Sequence, residues 1–340
     1  MSSSVMTSVT TEEQLALRVP RWFPGATGLA RAARLSGGAS QETWSLDVAH
    51  PDGTIGAILR RAPPGYGASP ERAAGLDAEA VLMQRAFEAG LPSPRVCHVL
   101  TPDDKLGTGF VMNRVEGETI ARKILRDEAF ASARPILTRQ IGKILAGLHA
   151  LPRDTLPSLR SVTAEGEIPI LEQEYRGFDW PRPVFELAFR WLRAHVPPPP
   201  QTLTLVHGDF RNGNMIIGPD GVRAVLDWEL AHVGDPMEDL GWICVNSWRF
   251  GEIDKPVGGF GSREDLFAAY EASGGGTVDP RRVMFWEVIG TLRWGIMCCG
   301  MMDRFRKSPE NSMERAMIGR RASETEIDLL RLLAPRGKDQ

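Results

Sequence analysis

Three oxygen-bearing side chains are spaced in a way that suggests metal chemistry. Asp209 and Asn214 belong to a short polar loop that follows an apolar run, and Asp227 follows a second apolar run. If the two runs pair as a hairpin, the three side chains converge at one end of it. Two carboxylates and an amide are hard oxygen ligands, which Mg²⁺ takes when it also carries phosphates. We therefore predict that Asn214 and Asp227 bind the metal and that Asp209 accepts a proton from a hydroxyl group.

The loop also has a purely structural interpretation. Asp and Asn commonly form turns by bonding their own backbone, so the spacing of Asp209 and Asn214 is weak evidence by itself. His207 is more typical of a buried imidazole that bonds backbone carbonyls than of a catalyst. Gly208 is expected to give the loop a backbone conformation closed to other residues.

Several polar residues outside the loop are expected to be structural. Asp235 suits the N-cap of a helix whose first turn contains Pro236, and Asp239 is assigned to the same capping segment. His149 and His232 are expected to be hydrogen-bonded histidines of the interior. None of these residues is needed for the predicted metal chemistry.

A glycine turn between two predicted strands is a candidate phosphate-binding loop. Its backbone N–H groups could face nucleotide phosphates, although two glycines in a hairpin are also ordinary turn chemistry. The candidate contacts in this turn are Ser36, Gly37, Gly38, Ala39 and Ser40. Arg60 or its neighbour Arg61 could reach the phosphates, and Glu79 could pair with that arginine; the alternative is that these charges are solvated. Asn113, at the end of the last strand in this region, is a further candidate nucleotide contact.

Size and composition exclude several classes of protein. The chain has 340 residues and a net charge of −3, which gives no electrostatic footprint for nucleic acid. No apolar run approaches the ~20 residues of a membrane helix, and the first residues lack the features of a secretory signal. The four cysteines, at positions 97, 244, 298 and 299, match neither a disulfide framework nor a zinc site. We therefore expect a cytoplasmic protein that binds no nucleic acid and no membrane.

Strand patterns dominate the first third of the chain, and helical patterns dominate the rest. Residues 30–62 are predicted as strand, turn and strand, followed by a helix over 71–89. Further strands are expected over 95–100 and 109–113. Helices are expected from residue 134 onward and over 184–195, 263–272, 280–301 and 314–333.

This change of pattern suggests two lobes with a hinge. We divide the chain into a disordered tail over residues 1–10, an N-lobe over 11–116 and a C-lobe over 117–340. The boundary falls near Glu116-Gly-Glu118. Because ligand sites often lie at domain junctions, we expect a nucleotide in the cleft between the lobes.

The motifs resemble those of a known enzyme family. Val206-His-Gly-Asp-Phe-Arg-Asn-Gly-Asn214 resembles the His-Gly-Asp-x-x-x-x-Asn loop of the aminoglycoside phosphotransferases, relatives of choline kinase and protein kinases. Val225-Leu-Asp-Trp-Glu229 resembles their metal-binding strand, and Gly234-Asp-Pro-Met-Glu-Asp-Leu-Gly241 resembles the segment after it. Leu35-Ser-Gly-Gly-Ala-Ser-Gln-Glu-Thr-Trp44 and Leu91-Pro-Ser-Pro94 also fit the family.

The resemblance implies an α+β, bilobal, protein-kinase-like fold. The small β-rich N-lobe would carry one main helix, and the larger C-lobe would be mainly helical. The donor would be MgATP, or GTP, with Asp209 as catalytic base and with Asn214 and Asp227 on Mg²⁺. Arg211 occupies the place where protein kinases carry a lysine that contacts the transferred phosphate. The segment Ala57-Ile-Leu-Arg-Arg61 departs from the family, which has a lysine there; arginine keeps the charge but changes reach and geometry.

Within the family, the chain looks nearest to the phosphotransferase-like domains fused to, or encoded beside, acyl-CoA dehydrogenases. The segments that carry this resemblance are Arg249-Phe-Gly251, Gly258–Leu266 and Phe285–Gly295. A functional link to an acyl-CoA dehydrogenase is implied. The chain is expected to be a monomer or a homodimer, and the sequence does not decide between them.

The acceptor is the least determined part of the prediction. Aminoglycosides are polycations, and a pocket for them should be lined by many carboxylates. The helical part offers aromatic and methionine side chains, which suit a partly apolar acceptor but are also typical of a core. These are Trp242, Trp248, Phe285, Trp286, Trp294, Met297, Met301 and Met302. We expect a hydroxylated, partly apolar metabolite such as a hydroxyacyl thioester, with an aminoglycoside as the alternative. Arginines that could meet an acidic group on it are Arg281, Arg282, Arg293 and Arg304.

Three classes of function remain open at this stage. A small-molecule kinase is preferred because the set of metal ligands and base is complete. A nucleotide-binding pseudokinase, acting as a sensor or scaffold, is favoured only by the arginine in the phosphate clamp. A protein kinase is disfavoured because no long activation segment separates Asp227 from Asp235.

Overall fold

The N-terminal part of the chain is an antiparallel sheet. A computed structural model describes residues 10–35, 41–64, 72–307 and 312–334. The strands of this part are β1 (Gly28–Leu35), β2 (Glu42–His50), β3 (Gly53–Ala62), β4 (Val96–Val99) and β5 (Thr108–Asn113). They form a five-stranded sheet in the order β1-β2-β3-β5-β4. Each pair of neighbours is antiparallel, so short connections suffice.

Alternation of side chains gives this sheet one buried face. Trp44, Leu46 and Val48 of β2 are buried, and the residues between them are partly exposed. Leu59 and Ala57 of β3 lie directly opposite Trp44 and Leu46 and are buried on the same face. Side chains of a strand alternate between faces, so these pairs stack into one apolar surface.

Helix α1 (Thr11–Trp22) belongs to the core on this face, and the sequence analysis did not predict it. Leu15 and Val19 lie one turn apart and are fully buried with Trp44 and Leu46. The helical pattern is hidden because Pro20 lies inside the last turn. The N-terminal part therefore contains a helix besides the one that was predicted.

The start of α1 is fixed by a capping box. The Thr10 side chain accepts a hydrogen bond from the backbone N–H of Glu13, and the Glu13 carboxylate accepts one from the backbone N–H of Thr10. Residues 1–9 of the predicted tail lie outside the described residues. Thr10, the last residue of that predicted tail, is therefore part of the folded structure.

Helix α2 (Leu76–Glu88) is the helix that was predicted in this region. It begins later than expected, after Gly75, which has a φ of +86°. It packs against β4 and β5, and its Glu79 is only 1% exposed. Residues 65–71, which include the predicted start, lie outside the described residues.

The rest of the chain is mainly helical. Its helices are α3 (Ala121–Arg126), α4 (Arg134–His149), α5 (Ala164–Arg176), α6 (Pro183–Ala194), α7 (Met237–Trp242), α8 (Arg263–Ala272), α9 (Pro280–Lys307), α10 (Met313–Gly319) and α11 (Ala322–Leu333). Helix α9 runs through the centre and contacts α5, α6, α7, α10 and α11. A Cβ on Gly241 of α7 would lie 2.8 Å from the Glu287 backbone nitrogen of α9, so only glycine permits this close approach.

Two short strand pairs in the helical part frame the polar loop. They are formed by β6 (Thr204–Val206) with β9 (His232–Gly234), and by β7 (Met215–Gly218) with β8 (Gly221–Val225). The chain that leads from the N-terminal sheet into the helical part contacts the β7–β8 pair at Glu118. The backbones of Glu118 and Ile217 form two hydrogen bonds with each other, each of 2.9 Å. The predicted lobe boundary at 116/117 lies next to this contact and stays a prediction.

Two helices at the end of the chain differ from the sequence prediction. Helix α9 extends to Lys307, beyond the predicted end at residue 301, and the predicted helix over 314–333 is split into α10 and α11. Arg320 and Arg321 lie at the break. Across the described ranges, we find no helix with the length and apolarity needed to cross a membrane.

We predict that α1 contributes to the stability of the sheet. Leu15→Ala should lower the free energy of unfolding by about 3 kcal/mol, because it leaves a cavity in a fully buried site. Leu17→Ala is the matched control, since Leu17 lies on the same helix with 65% of its surface exposed; it should cost less than about 0.5 kcal/mol. Urea unfolding followed by circular dichroism measures both. Equal effects would show that α1 does not pack on the sheet.

Candidate active site

The loop over residues 207–214 is held by a buried carboxylate. Asp239 of α7 is fully buried and accepts hydrogen bonds from the backbone N–H groups of His207 (2.8 Å) and Gly208 (3.0 Å). Gly208 has a φ of +77°, and a Cβ there would lie 2.5 Å from the carbonyl oxygen of Leu230. The backbone conformation expected of Gly208 is therefore present, and only glycine fits it.

The carboxylate of Asp209 lies at the centre of the site. Its Oδ1 accepts hydrogen bonds from Trp242 Nε1 (2.8 Å) and Arg211 Nε (3.1 Å). Its Oδ2 accepts one from Asn214 Nδ2 (2.6 Å) and a longer contact from the same Arg211 nitrogen (3.3 Å). The Arg211 guanidinium also lies over the Trp248 ring, 4.6 Å from its centroid. Both carboxylate oxygens are thus oriented by named donors.

Asn214 and Asp227 meet where the β7–β8 hairpin opens. The backbone N–H of Leu226 donates to the Asn214 carbonyl oxygen at 2.8 Å, which brings residue 227 beside the loop. Asp227 has a φ of +64°, an uncommon conformation for a residue other than glycine. Strained backbone of this kind is concentrated at functional sites. The convergence predicted from the two apolar runs is therefore present.

The chemistry of this donor set fits Mg²⁺. Asn214 Oδ1 accepts no hydrogen bond from the described residues, and 30% of the Asp227 side chain is exposed. Both groups therefore offer hard oxygen atoms to an ion. The described ranges contain no cluster of three or more His, Cys, Asp or Glu residues that could hold a metal. Mg²⁺ commonly binds one or two carboxylates and completes its octahedron with water and phosphate oxygens, so a small protein set is sufficient.

Arg60 and Arg61 point to opposite sides of β3. Arg60 Nη2 donates to Asp227 Oδ1 at 2.9 Å and to Glu229 Oε2 at 3.3 Å. Its Nε lies 3.5 Å from Glu79 Oε2, which gives the arginine–glutamate pair expected from the sequence. Arg61 is buried on the other side, where it pairs with a glutamate of β2. Of the two, Arg60 is therefore the arginine that reaches the predicted metal residues.

Negative charge is concentrated in this cluster. Burial raises the pKa of the Asp209 carboxyl and outweighs the opposing effect of Arg211. Burial also raises the pKa of Glu79 to about 7, although Arg60 opposes the shift. The pKa of Glu229 is raised by burial and by the adjacent charge of Asp227. A site with this imbalance favours binding of a cation.

The two histidines nearest the loop are structural, in agreement with the sequence analysis. His207 is fully buried, and its Nε2 bonds the carbonyl oxygen of Leu226 at 3.1 Å. Burial lowers its pKa, which favours the neutral imidazole. His149 lies between Asp239 (3.2 Å) and the Tyr270 hydroxyl (2.8 Å). It thereby holds the carboxylate that supports the loop.

A second buried carboxylate, Glu238, is paired on both oxygens. His232 Nε2 lies 3.1 Å from one oxygen, and Arg293 Nη1 donates to the other at 3.0 Å. Burial alone would raise the pKa of Glu238, but these two partners lower it to about 2. Arg293 Nη2 also donates to the carbonyl oxygen of Gly208 at 3.0 Å. The pair therefore holds the loop through the Gly208 carbonyl group, whereas Asp239 holds it through backbone N–H groups.

Some predicted residues lie elsewhere or outside the described structure. Ser36, Gly37, Gly38, Ala39 and Ser40 all lie outside the described residues. Asn113 is not brought into the cluster, since its Oδ1 accepts a hydrogen bond from the backbone of Arg95. The structural role expected of Asp235 is present, since it accepts a hydrogen bond from the Met237 backbone N–H at 3.0 Å, but the N-cap of α7 is Pro236 and not Asp235. The structural role expected of Asp239 is also present, although its carboxylate bonds the backbone of the loop and does not cap a helix.

Two members of the cluster were missed as site residues. Glu229 contacts Arg60 beside Asp227, and the Asp-x-Glu spacing was a signal that could have indicated it. Trp242 was considered only as an acceptor surface, yet its indole nitrogen bonds Asp209. No local sequence pattern indicates this contact, because Trp242 and Asp209 are 33 residues apart.

Half of the residues suggested for the acceptor are buried or ion-paired. Trp242, Trp248, Phe285 and Trp286 are each at most 4% exposed and belong to the core. Arg282 pairs with Asp235, and Arg293 pairs with Glu238. Four of the eight aromatic and methionine side chains suggested for the acceptor are therefore core residues, which was the alternative interpretation.

Comparison with known proteins places the chain in a family. A sequence profile described as the phosphotransferase enzyme family, APH, matches residues 31–283. This match covers well over half of the chain. The chain belongs to the phosphotransferase enzyme family. The residues that carry the cluster around Asp209 all lie within the matched range.

Solved structures of this family share the fold. A candidate aminoglycoside phosphotransferase from Ralstonia eutropha superposes with a TM-score of 0.72 over 94% of this chain and 97% of its own, at 19% identity. A thermostable mutant of aminoglycoside phosphotransferase APH(4)-Ia, in a ternary complex with ADP and hygromycin B, gives 0.63 over 95% and 100%, at 17% identity. The likeness at these identities concerns the fold alone. It confirms the predicted bilobal, protein-kinase-like architecture.

Sequence relatives of the chain are named as acyl-CoA dehydrogenase family members. Acyl-CoA dehydrogenase family member 11 of Pongo abelii is 26% identical over 297 residues, which are 80% of this chain and 37% of that protein. Acyl-CoA dehydrogenase family member 10 of Mus musculus is 28% identical over 228 residues, which are 65% of this chain and 21% of that protein. The chain therefore spans well under half the length of these relatives.

We predict that Glu238 stabilises the folded protein in a pH-dependent way. Because its folded pKa lies near 2, below its ordinary value of 4.5, the stabilisation is present above pH 4.5 and is lost as pH falls toward 2. Glu238→Gln should cost about 3 kcal/mol at pH 7 and should flatten the loss of stability below pH 4.5. Calorimetric melting between pH 7 and pH 3 measures this. Glu264→Gln, at an exposed position, is the control; an identical pH profile for the two variants would contradict the assignment.

Proposed function

We propose that the chain transfers the γ-phosphate of MgATP to a hydroxyl group of a small-molecule acceptor, with GTP as the alternative donor. The observation that carries the proposal is the single cluster formed by Asp209, Arg211, Asn214, Asp227 and Arg60. Phosphoryl transfer needs a base, metal ligands and positive charge on the phosphates, and this cluster contains each of them. Membership of the phosphotransferase family supports the same chemistry.

Each member of the cluster has a defined role in this proposal. Asp209 accepts the proton of the acceptor hydroxyl while the hydroxyl oxygen bonds the γ-phosphorus and the bond to the departing ADP oxygen breaks. Burial raises the pKa of the Asp209 carboxyl, which makes its carboxylate a stronger base for this proton than a solvated one. Asn214 and Asp227 would hold Mg²⁺, which would neutralise phosphate charge when bound. Arg60 and Arg211 contribute further positive charge to the phosphates.

The nucleotide contacts outside this cluster remain predictions. The turn over residues 36–40 is proposed to cover the phosphates, and Asn113 is proposed to contact the nucleotide from β5. Glu79 holds Arg60 in place, as a partner on α2. Arg60 presents a planar set of donors where the family has a lysine, so it can contact Asp227 and a phosphate through different nitrogens.

Two other classes of function are less well supported. A pseudokinase would be expected to lack a member of the base and metal set, whereas Asp209, Asn214 and Asp227 are all present and adjacent. A protein kinase would be expected to have a long segment after the metal aspartate. Here residues 228–234 contain only a short 3-10 turn and β9 before the helix that supports the loop. A small-molecule acceptor is therefore favoured.

The proposed acceptor is anionic and partly apolar, and a cavity of about 730 Å³ in the helical part fits such a molecule. Its lining residue Ser247 precedes Trp248, the ring over which the Arg211 guanidinium lies. Its charged lining residues are Arg122, Arg320, Arg321, Arg331, Glu324 and Asp328, and its apolar ones are Phe250, Met317, Ile318 and Ile327. The excess of arginine opposes a polycationic aminoglycoside. The names of the relatives agree with a hydroxyacyl thioester and with a functional link to an acyl-CoA dehydrogenase.

We predict that Asp209 is required for turnover but not for nucleotide binding. Asp209→Asn should bind MgATP with an unchanged Kd and should lose at least about 10³-fold in kcat, because both the base and its orientation are lost. Isothermal titration and an ADP-release assay measure the two quantities. Asp254→Asn, at an exposed position, is the control and should behave as the wild type. Unchanged turnover in Asp209→Asn would refute the role of Asp209.

We predict that acceptors with an acidic group and an apolar chain are phosphorylated in preference to amines. The protein is incubated with MgATP and a panel of hydroxyacyl-CoAs, and separately with kanamycin as a representative aminoglycoside. Phosphate should be found on the thioesters only. Arg122 and Arg320 have no ion-pair partner among the described residues, so Arg122→Ala and Arg320→Ala should each raise the acceptor KM about tenfold. Arg139→Ala, an exposed arginine outside the cavity, is the control. Phosphate on kanamycin alone would overturn the acceptor proposal but not the kinase proposal.

A further inference from the structure

The side chains that donate hydrogen bonds to the Asp209 carboxylate differ in how easily they can move away from it. Oδ2 is held by Asn214, and Oδ1 is held by Trp242. A single Arg211 nitrogen is shared between both oxygens at 3.1 Å and 3.3 Å. The Arg211 side chain is 24% exposed, so it can turn toward a phosphate and leave lone pairs free for a hydroxyl. Trp242 and Asn214 would then be the two donors that still orient the carboxylate.

Trp242 is placed by the same helix that supports the loop backbone. Asp239 and Trp242 are three residues apart on α7 and therefore lie on neighbouring positions of one helical face. Asp239 accepts the backbone N–H groups of the two residues before Asp209, and Trp242 donates to the Asp209 side chain. Helix α7 thus positions both the backbone that precedes Asp209 and the Asp209 side chain.

The indole ring itself has little freedom to move. The Arg293 guanidinium lies 4.1 Å from the centroid of the Trp242 ring, and the same arginine donates to the Gly208 carbonyl oxygen. Trp248 packs at a centroid distance of 5.3 Å. A Cβ on Gly290 of α9 would lie 2.8 Å from the ring, so the backbone of α9 is in close contact with it. The direction of the indole N–H is therefore fixed before any ligand binds.

We propose that Trp242 is a positioning residue for phosphoryl transfer: its indole N–H fixes the carboxylate of Asp209 in the orientation that receives the acceptor proton. This inference rests on the proposed function. It assigns to Trp242 a role that acts through Asp209 and does not involve contact with the nucleotide. A rigid donor costs no reorganisation during the reaction, which is how preorganised groups lower a barrier.

Hydrolysis of MgATP, with water as the acceptor, tests the role without knowledge of the natural acceptor. Trp242→Phe keeps an aromatic ring but removes the N–H, so kcat should fall at least about tenfold while the Kd for MgATP stays within about twofold. Trp294→Phe is the matched control, because Trp294 packs in the same aromatic cluster and its indole nitrogen has no partner among the described residues. In an Asp209→Asn background, Trp242→Phe should cause no further loss of turnover.

Indole NMR gives a second readout that does not depend on turnover. The chain contains nine tryptophans, and ¹⁵N labelling of the indoles reports each N–H. Asp209→Asn weakens the charge-assisted hydrogen bond, so one indole signal should move upfield. That signal should be the one that disappears in Trp242→Phe, and the Trp294 signal should stay in place. If Trp242→Phe does not fold, the shifted signal is assigned in the native protein through the nuclear Overhauser contact of the Trp242 ring with Gly290, which lies against it.

The outcomes separate this inference from the proposed function. An active wild type in which Trp242→Phe and Trp294→Phe retain equal kcat overturns the role of Trp242 and leaves the kinase proposal intact. The absence of any indole shift in Asp209→Asn also overturns it. A wild type that binds MgATP but does not turn it over overturns the proposed function and, with it, the role of Trp242.

Discussion

The carboxylate of Asp239 accepts the backbone N–H groups of His207 and Gly208, and the rest of the site depends on this contact. The two donors lie where the chain leaves β6 and has no strand partner. Buried backbone donors must be satisfied, and a buried carboxylate satisfies two of them at once. His149 in turn holds Asp239, so the contact continues into the core between α4 and α8. The position of the loop is therefore set by the helical core.

The site combines a rigid support with an unbalanced charge. Glu238 and Asp239 are buried with their partners, and they orient the loop without facing the cleft. Asp227, Glu229 and Glu79 instead share the single guanidinium of Arg60. A divalent cation bound with nucleotide phosphates would redistribute these contacts, because it offers Asp227 a stronger partner than one arginine nitrogen. The support stays fixed while the charged groups exchange partners.

In the proposed function, the helical part positions the base with one set of residues and meets the acceptor with another. Four of the aromatic side chains that suggested an acceptor surface, Trp242, Trp248, Phe285 and Trp286, are instead buried, and Trp242 donates a hydrogen bond to Asp209. Two arginines without an ion-pair partner among the described residues, Arg122 of α3 and Arg320 between α10 and α11, line a separate cavity. Helices α10 and α11 both contact α9, and α11 also contacts α6.

The sequence alone determined the family, the order of strands and helices, and the pairing of the loop with the Asp227 strand, because these follow from local periodicity and short motifs. It also determined that Asp209, Asn214 and Asp227 converge. It did not reveal α1, whose pattern Pro20 interrupts, or the choice of Arg60 over Arg61, which depends on the face of β3. The contact of Trp242 with Asp209 was decided by tertiary structure alone. Such a contact joins residues distant in the chain, and its geometry arises only when α7 packs against α9 and the loop.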